Sequence, residues 1–492
     1  MPQLKHSDAA TGEAPPVPLV VDLDQTLIRT DILWESVVQL WRSPTVAVRA
    51  LLALLLSGKA EFKTILAQGI TIDPATLPYR EDVLEFVKSQ HGIGRDVILA
   101  TATHRIMAQR VADHLGMFCR VFATEDGVNL SGDHKRAALE SSYGRRGFDY
   151  VGDDQKDLTI LSAAREALLV DPSQSLLKKA SAAGNVSRVF SENRSDVKII
   201  ARALRLPQWA KNVLLAVPLL TAHMVSNLEA WISVGIAFLG FSLVASATYL
   251  VNDLVDLQSD RIHAQKRFRP LASGRLAIRT ALILAVALGS LGFVLSIVFL
   301  PSAFLAYLIA YTVLTLAYSF DLKRRLLVDA LALAALYTLR ILAGGAAIGV
   351  VVSEWLLMFA LFIFISLAFL KRAVELQASQ AGGRLSGRGY SPVDLETIRV
   401  IGMSSGLCSV LVLSLYINSP AVSQLYRSPQ ILWLMCPLLI YWISRMWFLA
   451  ARGQVAQDPV VFTLLDWRSY IVGACSLLII SLATLGPAGM RW

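Results

Sequence analysis

The sequence predicts a two-part chain, an N-terminal α/β domain followed by an all-α membrane bundle. Three observations carry that reading. The 492 residues are 55% hydrophobic and have a mean hydropathy of +0.54, too apolar for a soluble protein of ordinary composition. The excess lies after about Arg202, where apolar stretches of spanning length follow one another. Before them, short β-rich runs ending at polar residues alternate with helical patterns, as in a parallel sheet covered by helices.

In order along the chain, residues 1–16 lack an apolar h-region and read as a disordered tail rather than a cleavable signal peptide. The α/β domain is expected over 17–171. Its strands are VPLVVDLDQTL, RDVILATAT and FDYVGDD, and its helices include VVQLWRSPTVAVRALLALLL and YREDVLEFVKSQ. The polar ends of such strands are where open α/β sheets bind ligands. A basic, Ser-rich stretch makes 172–200 the expected linker. From 201 to 492 about nine transmembrane helices are expected, centred near Leu215, Phe241, Leu288, Ile309, Leu336, Phe362, Leu411, Leu438 and Ile479.

The formal charge of +9 belongs to loops beside these spans, so nucleic acid is the less economical partner and the lipid bilayer the natural one. One set of loops carries Arg261, Lys266, Arg267, Arg269 and Arg275, then Lys323 to Arg325, then Lys371, Arg372, Arg384 and Arg388, then Arg452 and Arg468. The other set, near Ser226, Pro301, Ser353 and Pro420, is almost uncharged but for Arg427. The positive-inside rule makes the basic set cytoplasmic, and the N-terminal domain with it. A multi-pass inner-membrane protein with both working parts on the cytoplasmic side is the expectation. Cys119, Cys408, Cys436 and Cys475 are too scattered for a disulfide framework or a zinc site.

At the end of the second apolar stretch comes YLVNDLVDLQSDRIHAQKRFRPLASG. On a helix Asn252, Asp256 and Asp260 form one row, with Asp253 beside it. Carboxylates on one face repel unless a cation is shared, and hard oxygen donors suit Mg²⁺, which bridges to phosphates. Arg267 and Arg269 suit the phosphate oxygens left uncovered by metal. A solvated helix end is the plainer alternative. The NDxxDxxxD pattern resembles the UbiA superfamily of intramembrane prenyltransferases. Most members carry a second aspartate-rich motif, whereas LAFLKRAVELQ here offers Lys371, Arg372 and Glu375. A basic pair suits a substrate with an extra anionic group.

With RLPQWAKN, AYSFDLKRRLLVDALALAALYTLRILAGG and FLKRAVELQ, this stretch looks like the decaprenyl-phosphate phosphoribosyltransferase branch. That branch moves 5-phosphoribose from phosphoribosyl diphosphate to a polyprenyl phosphate and releases diphosphate. The resemblance implies that Asn252, Asp253, Asp256 and Asp260 hold Mg²⁺, or Mn²⁺ in its place, with the sugar's diphosphate. It places Lys211, Lys266, Arg267, Lys323, Lys371 and Arg372 among the groups facing phosphates, with Glu375 beside them, and it matches Tyr318 and Asp329, the latter orienting a basic partner. Arg340, inside an apolar span, is a candidate by burial cost, equally readable as a structural ion pair. Asp458, Asp466 and Arg468 resemble a last loop near that site.

The N-terminal half holds an ordered quartet: Asp22 and Asp24 in VVDLDQTL, Thr101 in ILATAT, Lys135 in GDHKRAALE, and Asp153 and Asp157 in YVGDDQKD. The quartet resembles the haloacid dehalogenase superfamily, Rossmann-like with a small helical cap, here the insertion from Asp31 to about Gln90. By resemblance Asp22 is the nucleophile and Asp24 the acid and base. Thr101 and Lys135 hold phosphoryl oxygens. Asp153, Asp157, Asp22 and the carbonyl of Asp24 form a Mg²⁺ site, with Asp154 an alternative to Asp153. Gln25 replaces the commonest glycine. The two domains are expected to act in sequence, the N-terminal one removing the 5-phosphate from the membrane domain's product to leave polyprenyl-phosphoryl ribose. A prenyltransferase for aromatic or tetrapyrrole acceptors with a regulatory soluble domain, and a lipid-phosphate transporter, are the alternatives.

Overall fold

The computed structural model describes residues 17–125, 128–192, 195–379, 389–455, 458–463 and 465–485. The expected tail and the loop residues Arg384 and Arg388 lie outside them. The chain divides into two compact units, Met1–Ala203 with Asp256–Ala281, and Leu204–Val255 with Leu282–Trp492.

The first unit is built on six parallel strands: β1 (Leu19–Val21), β2 (Val97–His104), β3 (Arg120–Thr124), β4 (Asp149–Gly152), β5 (Ala167–Val170) and β6 (Val186–Phe190), in the order β3-β2-β1-β4-β5-β6. β1 pairs with both β2 and β4, Leu19 standing opposite Val97 on one side and Asp149 on the other. The strand order reverses there, which opens a crevice at the carboxyl ends of β1 and β4. Helices cover both faces, so β1 is apolar at every position instead of alternating. Leu19 and Val21 join one core, Val20 the other. The stretch expected as a linker is no linker. It carries the helix Gln174–Ala182 and β6, whose polar residues are exposed as befits an edge strand.

Between β1 and β2 lie α1 (Ile32–Gln39), α2 (Pro44–Leu56) and α3 (Lys59–Gly69), the expected cap insertion. Asp31 caps α1, its carboxylate accepting from the N–H of Leu33 at 2.8 Å and of Trp34 at 3.3 Å. Pro44 opens α2, where its missing N–H costs nothing. Gly58, with φ +86°, makes the turn into α3. The segment Asp256–Ala281 is held in this unit by Arg261, which donates Nη2 to Glu35 Oε1 at 2.6 Å and Nη1 to Oε2 at 3.1 Å. Arg275 adds a 3.3 Å contact to Glu192.

Eight helices among the described residues are long and apolar enough to cross a membrane, all in the second unit but for the first four residues of the second helix: Leu228–Val255, Ile278–Phe299, Ser302–Phe320, Val328–Ala347, Glu354–Ala378, Pro392–Ile417, Pro429–Ala451 and Trp467–Leu485. The first is the most enclosed and the second the most open to its surroundings. The ninth, expected near Leu215, is instead a 3-10 helix, Leu206–Ala216, followed by a short α-helix, Val217–Thr221. Pro207 and Pro218, in the first turn of each, break the i→i−4 ladder that one continuous helix requires. The chain is a multi-pass membrane protein.

Candidate active sites

At the switch point of the sheet, Asp22 directly follows β1, and its N–H donates to Val151 O at 3.0 Å. Asp153 directly follows β4. Oxygens of Asp22, Asp153 and Asp157 lie within 4.8 Å of one another. Gly152 allows that approach, since a Cβ there would stand 2.6 Å from the Tyr150 ring and 3.1 Å from Asp157 Oδ2. Lys135 enters the same cluster, its Nζ 3.1 Å from Asp22 Oδ1 and 3.3 Å from Asp157 Oδ1, and donates to Tyr150 Oη at 2.8 Å. Asp24 is held apart. Its Oδ1 accepts from Ile32 N at 2.8 Å, and its Oδ2 from Thr103 Oγ1 at 2.7 Å and Thr101 Oγ1 at 3.3 Å. The Asp24 side chain therefore stands outside the carboxylate trio, which leaves its carbonyl as the expected metal contact. Thr101, expected to bind phosphoryl oxygens, points at Asp24.

Burial raises the Asp22 carboxyl well above the usual range, Lys135 opposing it and Asp157 and Asp153 adding to it. Asp153 is pushed up to about 7, chiefly by burial, against the hydrogen bond from Thr26. Asp24 is raised by burial, partly offset by the Ile32 N–H and the two threonines. Burial would lower Lys135, but Asp22 and Asp157 outweigh it and raise it. A cluster of hard oxygen donors this crowded fits a divalent cation, which would relieve both the burial and the repulsion. Thr26, part of the VVDLDQTL motif but given no role by the sequence, donates to Asp153 Oδ1 at 2.8 Å, and sequence reasoning missed Thr103. It also missed Lys63 on α3, which donates to Ala102 O at 2.9 Å and Asn129 Oδ1 at 2.8 Å. Lys63, Asp24, Thr103, Asn129 and Lys156 line a cavity of about 440 Å³, with Leu33 and Leu66 on its apolar side. Gln25 adopts φ +60°, the left-handed conformation that glycine usually supplies.

In the membrane unit, Asp458 accepts from Lys211 Nζ and Lys371 Nζ at 2.8 Å each. Burial alone would raise Asp458; the two ammonium groups hold it well below the carboxylate range. Arg372 is fully buried and answered by carboxylates: Nε lies 2.5 Å from Asp329 Oδ2, Glu375 pairs with Nη1, and Nη2 donates to Tyr318 Oη at 3.1 Å. Tyr318 Oη donates to Asp329 Oδ1 at 2.8 Å. Asp329 thus orients a basic partner, and Arg372, expected to face a phosphate, is engaged within the protein. Arg340 donates to Asn212 Oδ1 at 2.9 Å, Leu336 O at 2.6 Å and Tyr311 Oη at 3.2 Å. Its guanidinium lies over the rings of Phe241, Tyr311 and Tyr337, a polar and aromatic cage in place of an ion pair. Lys323 Nζ is 3.4 Å from Asn252 Oδ1, and Arg205 pairs with Asp253. Asp466 is bound by Arg445 at 2.6 and 2.9 Å.

The acidic stripe is not one unbroken helix. Leu228–Val255 ends at Asp256, and Leu257–Ile262 resumes beyond it. Asp260 N nonetheless donates to Asp256 O at 2.8 Å, so those two stay one helical turn apart. Asp260 is buried with Oδ2 2.5 Å from Arg269 Nη1. Guanidinium groups thus answer Asp253 and Asp260, which moderates the repulsion read from spacing alone. Lys266 and Arg267 follow on a single 3-10 turn, Arg267 exposed over the Phe268 ring.

The first unit thus joins three carboxylates to a buried lysine at the end of its sheet, and the second sets paired cations and carboxylates among apolar helices. Residues 214–469 match the UbiA prenyltransferase family, and 19–162 match haloacid dehalogenase-like hydrolases. The chain belongs to the UbiA prenyltransferase family and carries an N-terminal haloacid dehalogenase-like domain. It is 36% identical to an uncharacterized protein, y4nM, of Sinorhizobium fredii, over 93% of this chain and 89% of that one. Identity is 35% to nodulation protein NoeC of Azorhizobium caulinodans, over 55% and 88%. It is 39% to a decaprenyl-phosphate phosphoribosyltransferase of Corynebacterium glutamicum, over 44% and 66%.

Proposed function

We propose that the membrane unit transfers 5-phosphoribose from phosphoribosyl diphosphate to a polyprenyl phosphate, and that the N-terminal unit then removes the 5-phosphate. The observation that carries the first step is Asp458 between Lys211 and Lys371. Two ammonium groups, Lys211 buried and Lys371 half-buried, share one carboxylate and leave a net positive site where most UbiA relatives have aspartates, which supports an acceptor bearing its own phosphate. The similarity to a decaprenyl-phosphate phosphoribosyltransferase supports the same reading.

In the transfer, an acceptor phosphate oxygen bonds to the ribose C1 as the C1–O bond to diphosphate breaks, its electron pair leaving with diphosphate. The acceptor is already an anion, so alignment and charge stabilisation are what the protein supplies. Lys211 and Lys371 hold the acceptor phosphate, while Lys266, Arg267 and Lys323 meet the diphosphate. Arg372, fixed by Asp329 and Glu375, positions Lys371 from the adjacent residue. Asn252, Asp253, Asp256 and Asp260 would hold Mg²⁺ there, and Asp22, Asp153, Asp157 and the Asp24 carbonyl would hold it in the first unit. Bound Mg²⁺ would supply charge neutralisation beside the phosphoryl groups.

In the second step an Asp22 oxygen bonds to phosphorus, and the departing ribose 5-oxygen takes a proton from Asp24. Water then attacks the aspartyl phosphate, giving its proton to Asp24 and releasing phosphate. The raised Asp24 favours the protonated form that the first half needs. Both active centres are proposed to work at the cytoplasmic side of the inner membrane. Purified chain given labelled phosphoribosyl diphosphate and polyprenyl phosphate should form a ribosylated lipid without its 5-phosphate, and Asp22→Asn should leave that phosphate in place. Ribosylated lipid identical from both proteins refutes the second step. A prenylated aromatic product refutes the first, as does lipid movement without a new phosphodiester.

A further inference from the structure

The cap hairpin turns its larger apolar residues outward. In α2, PTVAVRALLALLL, the buried side chains are Ala50 and Ala53. Val48, Leu51, Leu52, Leu54, Leu55 and Leu56 are exposed, Leu55 at 72% and Leu56 at 82%. A surface helix of a soluble domain does the reverse, and a contiguous apolar face of this kind marks a partner. The partner is not α3. That helix already packs on the other side, where a Cβ on Gly69 would meet Val46 at 2.6 Å.

What covers the leucine face follows from where α2 begins. Arg42, two residues before it, donates Nη1 to Gln258 Oε1 at 2.8 Å. Gln258 stands three residues beyond Val255, the last residue of a membrane-spanning helix, and the same segment re-enters the next span at Ile278. The start of α2 is therefore hydrogen-bonded to the chain where it leaves the bilayer. From Trp41 to Ser57 the sequence has Arg42 and Arg49 and no carboxylate. The Arg42 guanidinium lies 5.3 Å from the Trp41 ring centre, an aromatic and basic pair of the kind found at headgroup level.

We propose that α2 is an in-plane membrane anchor, its leucine face embedded in the leaflet from which Gln258 emerges. At 13 residues it is about 20 Å long, short of the roughly 30 Å hydrocarbon core, so it lies along the surface instead of crossing. The anchor has a consequence for the phosphatase unit. α3, the other limb of the hairpin, brings Lys63, Leu66 and Ala67 into the lining of the cavity beside Asp24. With α2 embedded, one wall of that cavity is held at the bilayer, which favours a phosphomonoester borne on a lipid over a freely diffusing one. That substrate class rests on the phosphatase reading; the anchor does not.

The test uses the full chain in nanodiscs, its four cysteines replaced by serine and an environment-sensitive fluorophore attached at Leu55→Cys or, for comparison, at Lys178→Cys on an exposed helix face. The Leu55 label should be quenched by lipids carrying doxyl groups high on their acyl chains and be about fivefold less sensitive to aqueous iodide than the Lys178 label. Equal iodide quenching at both sites overturns the anchor, as does disulfide-linked dimer formation through Leu55→Cys, which would make a second copy the partner. In the otherwise native chain, Leu55→Glu with Leu56→Glu should slow hydrolysis of a lipid-borne phosphomonoester about fivefold and leave p-nitrophenyl phosphate hydrolysis unchanged. Equal effects on the two substrates overturn the link to lipid. Doxyl quenching with neither substrate hydrolysed by the native chain upholds the anchor and removes the phosphatase reading instead.

Discussion

Glu35→Ala tests how firmly the segment Asp256–Ala281 is tied to the sheet. Glu35 and Arg261 retain 1% and 5% side-chain exposure. The carboxylate accepts from both terminal guanidinium nitrogens and also from the Thr30 hydroxyl at 2.6 Å. Alanine strips the acceptor from a cation that water scarcely reaches. Breaking one side of a buried pair costs about 3–5 kcal/mol. With a urea m-value of about 2 kcal/mol/M, the unfolding midpoint of the first unit should fall by about 2 M. Pulse proteolysis of the full chain in nanodiscs, scored by cleavage within the first unit, measures that midpoint. Glu35→Leu combined with Arg261→Met removes both charges and should recover most of the loss. A shift below about 0.5 M, or a double variant no more stable than the single one, refutes the reasoning. The pair would then behave as a solvent-screened contact.

Three further outcomes follow from the first unit and one from the second. Asp153 has a folded value of about 7 against an ordinary 3.8. Between those values the folded state binds more protons than the unfolded one, so stability in metal-free buffer should fall as pH rises from about 4 to about 7, and Mg²⁺ should flatten that slope. Lys135→Met leaves Asp22 and Asp157 without the cation that faces them; phosphatase turnover should drop by about 100-fold or more in a phosphate-release assay. Gln25→Gly relieves the left-handed strain at φ +60° and should raise the urea midpoint, by up to about 1 kcal/mol in stability. Lys371→Ala removes one of the two ammonium groups at Asp458 and should raise KM for polyprenyl phosphate about tenfold in a transfer assay, with kcat less affected.

Hydropathy made the eight long spans legible, because each is a property of about twenty consecutive residues. It could not show that Pro207 and Pro218 would turn the stretch around Leu215 into a tight 3-10 run. Asp22 and Asp153 at strand ends, Asp157 just beyond and Lys135 on a helix were readable because each sits in a recognisable local pattern, and they converge. Thr103 shares a strand face with Thr101 two residues earlier, a signal present but unused. Lys63 carried no such mark, since its place beside Asn129 depends on how the cap closes. β6 was hidden by its exposure, as a polar edge strand has no apolar alternation to detect. The contact between Glu35 and Arg261 joins positions 226 apart, and nothing local announces it. Arg372 was legible as an important residue but not in its role, because its distant partner, Asp329, decides that.

The pairing of Arg261 with Glu35 also bears on whether the phosphatase can be detached. A fragment ending at Ala203 would carry Glu35 without its guanidinium, leaving an uncompensated acid beneath the cap, and would lack the covering supplied by Asp256–Ala281. A stand-alone version therefore requires a neutral residue at position 35 or that excursion of chain grafted back. The two enzymes share one polypeptide in more than the covalent sense: one domain completes its fold with a piece encoded inside the other.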